Sequence, residues 1–435
     1  MLNFRTNKMR KNVYIVDGNR TPFIKAMGKP NPLTAADLAV EAIKPLMARQ
    51  PFSAENLGEV IAGCVGPAAD EANIARIIAL RIGCGVKVPA WTVQRNCASG
   101  LQALDAAYKD IITGRHDLVL AGGTEAMSRA PLLFNDNAVN WFADLAKAKS
   151  VTQKIKHLLK LRPKFFVPEI ALLKGLADPV VNLSMGQTAE KVAHRFKISR
   201  QEMDEYAVQS HLRALEAQTR EFFAGEISPL FDSHGQAIEA DNGVRADSSV
   251  ERLGKLKPVF DRPFGHVTAG NSSQLTDGAA FLLLAGEAAV EKYNLKPLAR
   301  IVDFSWQGLD PTEMGLGPAY CIANLLTKHK LKANNIDYWE INEAFAAQVL
   351  GCVKALDSTE YSTQYFGLKS KVGGLPMDKI NVDGGAIAVG HPVGASGARI
   401  ALHLARTLER ADAKKGIATL CIGGGQGGAI LIDRV

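Results

Sequence analysis

Short apolar runs alternate with helical patterns from residue 13 to about residue 130. VYIVDG from Val13, EVIAGCVG and DLVLAGG are rich in Val, Ile and Leu and end at glycine, the pattern of buried strands. LTAADLAVEAIKPLMA, between them, repeats its apolar positions at helical spacing. The alternation predicts an α/β layer on a mostly parallel sheet. The pattern returns after about residue 297 in RIVDFSW, IDYWEIN and GIATLCIGGGQGGAILI. The two ends correspond in kind. Each has a strand running into a small-residue turn and a helix (RNCASG, INEAFA), and each has a strand ending in a glycine cluster (LAGG, CIGGG). An internal duplication follows as the expectation: one α/β half over 12–296 and a second over 297–435, paired face to face.

The middle of the first half, about 127–250, has a different texture. Ser199-Arg-Gln-Glu202 is a capping-box pattern, and Met203, Tyr206, Ala207 and Ala214 follow on one helical face. This predicts a mostly helical loop domain carried by the first half. VTAGNSSQLTDGAAFLLLA, from Val267, then returns the chain to strand and helix.

Composition narrows the function classes. The chain has 435 residues, too many for one ordinary core, with 47% apolar and 22% charged residues, as in globular proteins. No window approaches the roughly 18 uninterrupted apolar residues of a membrane span. The opening MLNFRTNKMRKN is basic but lacks the apolar core of a secretory signal. Net charge is +7, mild for this length, and there is no basic stripe interleaved with aromatics, so nucleic-acid binding is not expected. Much of the excess lies in Lys147–Lys164, where seven Lys/Arg occur without Asp or Glu. Ile155, Leu158, Leu159 and Leu161 intervene, and Phe165 and Phe166 follow. A basic amphipathic helix over 147–166 would lie on an anionic membrane or dock a partner subunit. Equally, it could be a solvated basic surface near a phosphate-bearing ligand.

The six cysteines form no C-x-x-C pair and no zinc-ligand spacing, which fits reduced thiols in a cytoplasm-like compartment. Cys64, Cys84, Cys321 and Cys352 read as small buried hydrophobes. The other two lie in stretches that could carry chemistry. Cys97, in QRNCASGLQAL, joins a strand to a helix whose face is Leu101, Leu104, Tyr108 and Ile111. A helix N-terminus there would lower the thiol pKa; a buried structural cysteine at a tight junction fits as well. His391, in GGAIAVGHPVGASGAR, sits among glycines and before Pro392, where it is either a base or a hydrogen-bonded turn residue. Cys421 ends a strand against Gly423, Gly425 and Gly428. That spacing matches G-x-G-x-x-G, but AILIDRV after it is strand-like, so a glycine turn between two strands, with N–H groups free for an oxyanion, fits better than a dinucleotide site. Asn342, in INEAFAAQ, follows a strand and is either a substrate-orienting amide or an N-cap, with Glu343 opening the helical run. All four sit at strand ends beside small residues, where α/β sheets bind ligands.

Together these stretches resemble the thiolase family. NCASG is similar to its nucleophile motif, NEAFA to its asparagine motif, GHPVGASGAR to its histidine motif and CIGGGQG to its second-cysteine motif, in the family's order and over nearly the whole chain. TAGNSS and MGQTAE resemble further family segments. The resemblance implies a duplicated five-layer α/β/α/β/α sandwich with a loop domain, usually a homodimer or homotetramer. It implies that Cys97 is the nucleophile and that His391 activates it. Asn342 would hold a water completing a first oxyanion hole. Cys421 would be the second acid/base, and the N–H groups of Cys97 and Gly423 a second oxyanion hole. Met185 and Ser273 would contact coenzyme A. The activity implied is coenzyme A-dependent cleavage of 3-ketoacyl-CoA in fatty acid β-oxidation, with coenzyme A as a substrate and no metal or bound cofactor. A biosynthetic acetoacetyl-CoA-forming enzyme and an idle acyl-CoA-binding subunit are the competing readings. The insertion at about 134–180 and NSSQLTDGA, in place of N-A-S-G-x-N-D-G-A, resemble the β subunits of fatty-acid-oxidation complexes, which implies an α-subunit partner. Ser184 stands where many thiolases have histidine, and Asn342 where that branch usually has one.

Overall fold

The computed structural model describes residues 12–231 and 234–435; the basic start at 1–11 lies outside the described residues. Nine strands form the main path of one sheet: β1 (Val13–Arg20), β2 (Glu59–Gly63), β3 (Ala90–Val93), β4 (Leu118–Ala126), β5 (Thr276–Gly286), β6 (Ala299–Gly308), β7 (Tyr338–Ile341), β8 (Lys415–Ile422) and β9 (Gln426–Arg434). Their spatial order is β7-β8-β9-β6-β1-β5-β4-β2-β3, and Ile24–Lys25 adds a short strand beside β5. The expected mostly parallel sheet is not what forms. Only β2–β3, β2–β4 and β7–β8 are parallel. β5 and β9 each run back antiparallel to the strand before them, β4 and β8, and the halves meet through the antiparallel β1–β6 pair.

The layers follow from which faces are apolar. α1 (Ala35–Ala48) and α2 (Ile74–Arg81) cover the outer face of the first half; α8 (Gly317–Lys328) and α9 (Ala346–Leu356) cover that of the second. Between the half-sheets lie α3 (Ser99–Ile112) and α11 (Ser396–Arg410), packed on each other. Leu101, Leu104, Ile400 and Leu404 from these helices join Ile15, Ile61, Ile430 and Ile432 from both half-sheets in one buried cluster. This is the five-layer sandwich.

The duplication extends to detail. Ile15-Val16-Asp17 in β1 and Ile301-Val302-Asp303 in β6 both interrupt the strand register at the same place. In each, the aspartate accepts from the next residue's N–H (2.8 and 3.0 Å). Each also faces the residue capping its half's first helix, Arg49 after α1 and His329 after α8. One correspondence read from the sequence is wrong. The counterpart of RNCASG is not INEAFA but PVGASG, because α3 and α11 are the paired central helices.

The loop domain is mostly helical. It holds α4 (Asp136–Lys147), α5 (Val151–Leu158), α6 (Met185–Arg195) and α7 (Arg200–Thr219), and the Ser199–Glu202 capping box opens α7. Met203, Tyr206, Ala207 and Ala214 are buried as predicted. The expected single amphipathic helix over 147–166 is broken. Ser150 starts α5 with its own capping box, and a short 3-10 turn at Pro163–Phe166 follows.

Candidate active site

Two cavities meet at Cys97. An outer cleft of about 510 Å³ is lined by Val65, Met127, Pro131, Leu172 and Leu176, among others. An inner chamber of about 60 Å³ is lined by His391, Cys421, Met314, Phe345 and Ser273. Cys97, Met127, Met185 and Val393 line both. Of the site residues named from the sequence, Cys97, His391, Cys421, Gly423, Met185 and Ser273 line these cavities from both halves, and Asn342 lies against His391.

Cys97 lies in a tight turn after β3. Asn96 adopts φ +42°, and the Ser99 hydroxyl donates to Asn96 O (2.8 Å) while accepting from Arg95 N–H (2.9 Å). Asn96 Nδ2 donates to Gly423 O at 2.8 Å, which ties this turn to the glycine turn between β8 and β9. The N–H groups of Gly423 and of Cys97 itself point at the thiol sulfur. Met185 packs on Gly423 from the loop domain: a Cβ at 423 would lie 3.2 Å from its sulfur.

The expectation of a lowered Cys97 pKa is overturned. The helix begins at Ser99, two residues later, and burial pushes the thiol up to about 11 despite the two N–H groups; the carboxylate of Glu125 adds to the rise. Burial and the neighbouring Cys97 raise Cys421 well above the ordinary thiol range. Both groups rest as thiols.

His391 is buried, and burial, helped by the Arg399 charge, lowers its pKa to about 4. It follows Gly390, whose φ of +107° and close approach to Thr276 admit only glycine. Ser396 Oγ donates to Pro392 O (3.0 Å) and lies 2.6 Å from His391 Nδ1. With its own hydrogen on Pro392, the hydroxyl accepts from Nδ1–H. The ring is then the neutral tautomer whose Nε2 carries the lone pair. Asn342 Nδ2 faces that Nε2 at 3.4 Å.

Asn342 is not an N-cap. The helix after β7 starts at Ala346, so Glu343 does not open it either. Asn342 is buried, and its Oδ1 has no partner among the described residues. The next residue anchors the loop: Glu343 accepts from Tyr206 (2.9 Å), Ser210 (2.6 Å), Asn381 (2.9 Å) and the N–H of Ile387 (3.2 Å). Ser273 donates its N–H to Ala344 O at 3.0 Å, joining the NSS and NEAF segments. Ser184, where many thiolases carry histidine, caps α6 by accepting from Gln187 N–H.

Sequence reasoning passes over Ser396, Asn96 and Glu125, and reads Glu343 only as the start of a helical run. Buried Glu125 accepts from the N–H groups of Val65 (2.9 Å), Gly66 (2.9 Å) and Gly394 (3.0 Å), pinning the cleft wall to the histidine loop. The one legible signal is the repeated Ala-Ser-Gly at 98–100 and 395–397.

This arrangement sets two thiols and a neutral imidazole on one small chamber, with a primary amide behind the imidazole and two backbone N–H groups beside the Cys97 thiol. It can give and take protons and hold an oxyanion. Known proteins match nearly the whole chain. The thiolase N-terminal domain matches residues 13–288 and the thiolase C-terminal domain residues 295–434. The mitochondrial trifunctional enzyme subunit beta of Rattus norvegicus is 38% identical, covering 97% of this chain and 88% of that protein. A probable 3-ketoacyl-CoA thiolase of Caenorhabditis elegans is 36% identical, covering 98% of this chain and 95% of that protein. The crystal structure of human mitochondrial 3-ketoacyl-CoA thiolase in complex with CoA superimposes with a TM-score of 0.85 at 36% identity, covering 98% of this chain and 99% of that one. By its sequence, its fold and its two matched domains, the chain belongs to the thiolase family.

Proposed function

We propose that the chain cleaves 3-ketoacyl-CoA with coenzyme A, releasing acetyl-CoA and an acyl-CoA shortened by two carbons. The observation that carries this is the placing of Cys97 between cleft and chamber, with its sulfur on two N–H groups and His391, Asn342 and Cys421 grouped behind it. The Cys97 proton passes to His391 Nε2 as the sulfur attacks the 3-keto carbon. The Cα–Cβ bond breaks, and its electron pair forms the enolate of acetyl-CoA. The enolate oxygen is held by the new Nε2–H and by a water on Asn342. Cys421 gives its proton to the enolate carbon. The Cys421 thiolate then takes the proton of the incoming coenzyme A thiol, whose sulfur displaces Cys97 from the acyl group. The acyl oxygen sits on the N–H groups of Cys97 and Gly423 in that step. The released Cys97 thiolate recovers its proton from His391. A thiol of pKa about 11 beside an imidazole of pKa about 4 does not ionise at rest, so proton transfer is coupled to attack.

Coenzyme A enters as a substrate, with Met185 and Ser273 beside its reacting end; the chemistry calls on no metal or bound cofactor. The test is coenzyme A-dependent cleavage of short- and long-chain 3-ketoacyl-CoA, with Cys97→Ser as control. Cleavage of acetoacetyl-CoA alone would favour the biosynthetic reading. Cleavage of neither by a folded protein would favour the idle acyl-CoA-binding subunit, which the intact set of site residues opposes.

The partners belong to the same proposal. β3 is an outer edge strand, with Trp91 38% exposed, and it is offered as the pairing edge for a second copy in a homodimer or homotetramer. The 147–166 segment exposes Val151, Ile155, Leu158, Leu159 and Phe166 among its lysines. It is offered as a peripheral contact with an anionic membrane, or with the α subunit of a β-oxidation complex. Equal sedimentation with anionic and neutral vesicles, for wild type and for a charge-neutralised segment, would remove the membrane contact. A cytoplasm-like reducing compartment is kept as the location, supported by six free cysteines. Among the described residues, no helix is long and apolar enough to cross a membrane.

A further inference from the structure

The histidine loop is held at a place that neither the four motifs nor the mechanism uses. α10 (Ala386–Val389) is a four-residue helix ending at Gly390, and His391 follows. A helix this short leaves its last carbonyls without intrahelical donors. Gln274, from the segment before β5, supplies one. Its two Nε2 hydrogens are shared among Ile387 O (3.0 Å), Ala388 O (3.2 Å) and Gly243 O of the loop domain (2.9 Å). Its own carbonyl accepts from His391 N–H at 3.2 Å. Gln274 also lines the inner chamber with Cys97, His391 and Cys421. A Cβ at Gly243 would lie 2.7 Å from Ala388 O and 2.9 Å from Gln274 Nε2, so three backbone segments close on this one amide. Three carbonyls facing it fix which end is nitrogen. The Oε1 is buried with no partner among the described residues, so the donors alone hold the side chain in place.

We propose that Gln274 is a positioning residue for His391. One side-chain amide and one backbone carbonyl hold the turn that aims Nε2 at Cys97, and the same amide couples that turn to the loop domain at Gly243. The inference rests on His391 being the base that activates Cys97. A glycine at 274, as in the N-A-S-G pattern, has no side-chain donor for these carbonyls, so this means of holding the histidine belongs to chains with an amide there.

The test compares Gln274→Met, which keeps length and loses the donors, with Gln274→Glu, which sets carboxylate oxygens against three carbonyls. Two readouts are taken on folded protein: steady-state cleavage of a 3-ketoacyl-CoA that the wild type accepts, and the pH profile of Cys97 alkylation by iodoacetamide, followed by peptide mass. A misaimed base should lower kcat about 30-fold in Gln274→Met while KM stays within about three-fold, with a larger loss in Gln274→Glu. Alkylation of Cys97 should slow at neutral pH and recover only toward the thiol's own pKa of about 11. A folded Gln274→Met whose kcat and alkylation profile both stay within about two-fold of wild type would overturn the proposal, whatever its melting temperature does. If Gln274→Glu does not fold, Gln274→Met decides alone. If the wild type cleaves no 3-ketoacyl-CoA, the functional reading fails instead, and the alkylation profiles still decide the role of Gln274.

Discussion

The entrances of the two central helices are built alike and used differently. α3 opens with Ala98-Ser99-Gly100 and α11 with Ala395-Ser396-Gly397. The helices cross at those glycines: a Cβ on Gly100 would lie 3.0 Å from Ala398 N, and one on Gly397 2.5 Å from Leu101 N. The contact is reciprocal, as a duplicated fold requires. On one side the turn before the helix carries a thiol, on the other an imidazole. The serines differ too. Among the described residues, Ser99 bonds to the backbone of its own turn, whereas Ser396 reaches His391 Nδ1. A symmetric frame thus delivers a thiol and an imidazole to one chamber, and the asymmetry lies in a few side chains.

The largest effect comes from removing either delivered group. Cys97→Ser and His391→Gln should each lower kcat on the order of 10⁴-fold, and the double variant should be little worse than the weaker single. Steady-state cleavage rates on all three variants check this. Additive losses would mean the two entrances act independently.

The crossing itself comes next. Gly397→Val sets its side chain against the backbone of Leu101, and Gly100→Val sets its own against Gly394 O at 2.8 Å. Neither obstacle is a flexible side-chain end, so each change should cost about 3 kcal/mol in urea unfolding. Gly175→Ala, with nothing nearby, should change stability by less than about 1 kcal/mol.

Much of this architecture is legible in the amino-acid sequence. The strand and helix runs, the loop domain and the four residues that the fold groups together, Cys97, Asn342, His391 and Cys421, follow from periodicity, glycine punctuation and motif resemblance. What is not legible depends on pairing and burial. The antiparallel middle of the sheet is set by β5 and β9 returning beside strands that precede them, and apolar runs look the same in either direction. INEAFA and RNCASG look like counterparts because both end a strand; only three-dimensional packing shows that α11, not α9, sits opposite α3. The Cys97 pKa goes the other way from expectation because helix polarity can be read from sequence and desolvation cannot. Gln274 and Ser396 act through contacts with Ile387 and His391, on segments whose approach no local pattern announces.

α11 also buries positive charge, where α3 buries an aspartate, Asp105. His403 is buried against Glu226 (2.9 Å), Asp383 (3.2 Å) and Glu340 (4.0 Å). Burial alone would lower its pKa, but these carboxylates, Glu226 foremost, raise it to about 10. A histidine raised in the folded state contributes stability that is fully present below its unfolded pKa of about 6.5 and is lost as pH climbs toward 10. His391 has the opposite sign. Held neutral with a pKa near 4, it costs stability as pH falls from 6.5 toward 4. Unfolding free energy should therefore fall on both sides of neutrality, by on the order of 2 kcal/mol on the alkaline side. Urea titrations of His403→Gln at pH 7 and pH 10 should lose that alkaline slope. An unchanged slope would show that His403 is already neutral at pH 7.

The smallest effect separates the two serines. Ser99→Ala removes a hydroxyl that satisfies the Arg95 N–H and the Asn96 carbonyl, so it should cost about 1 kcal/mol of stability and leave kcat within about three-fold. Ser396→Ala removes a similar number of hydrogen bonds and should cost about the same in stability. It also frees His391 to adopt the other tautomer, in which Nε2 carries the proton and cannot accept one from Cys97. Its kcat should therefore fall about 10-fold at a stability like that of Ser99→Ala, and Ser396→Thr should restore much of it. The check is kcat against unfolding free energy for the three variants. Two serines at equivalent places, equal in stability but unequal in rate, would show that the duplicated frame assigns the chemistry to one entrance through a single hydrogen bond. Equal rates would place the tautomer under the control of Asn342 instead, whose amide at 3.4 Å would then be the group that orients Nε2.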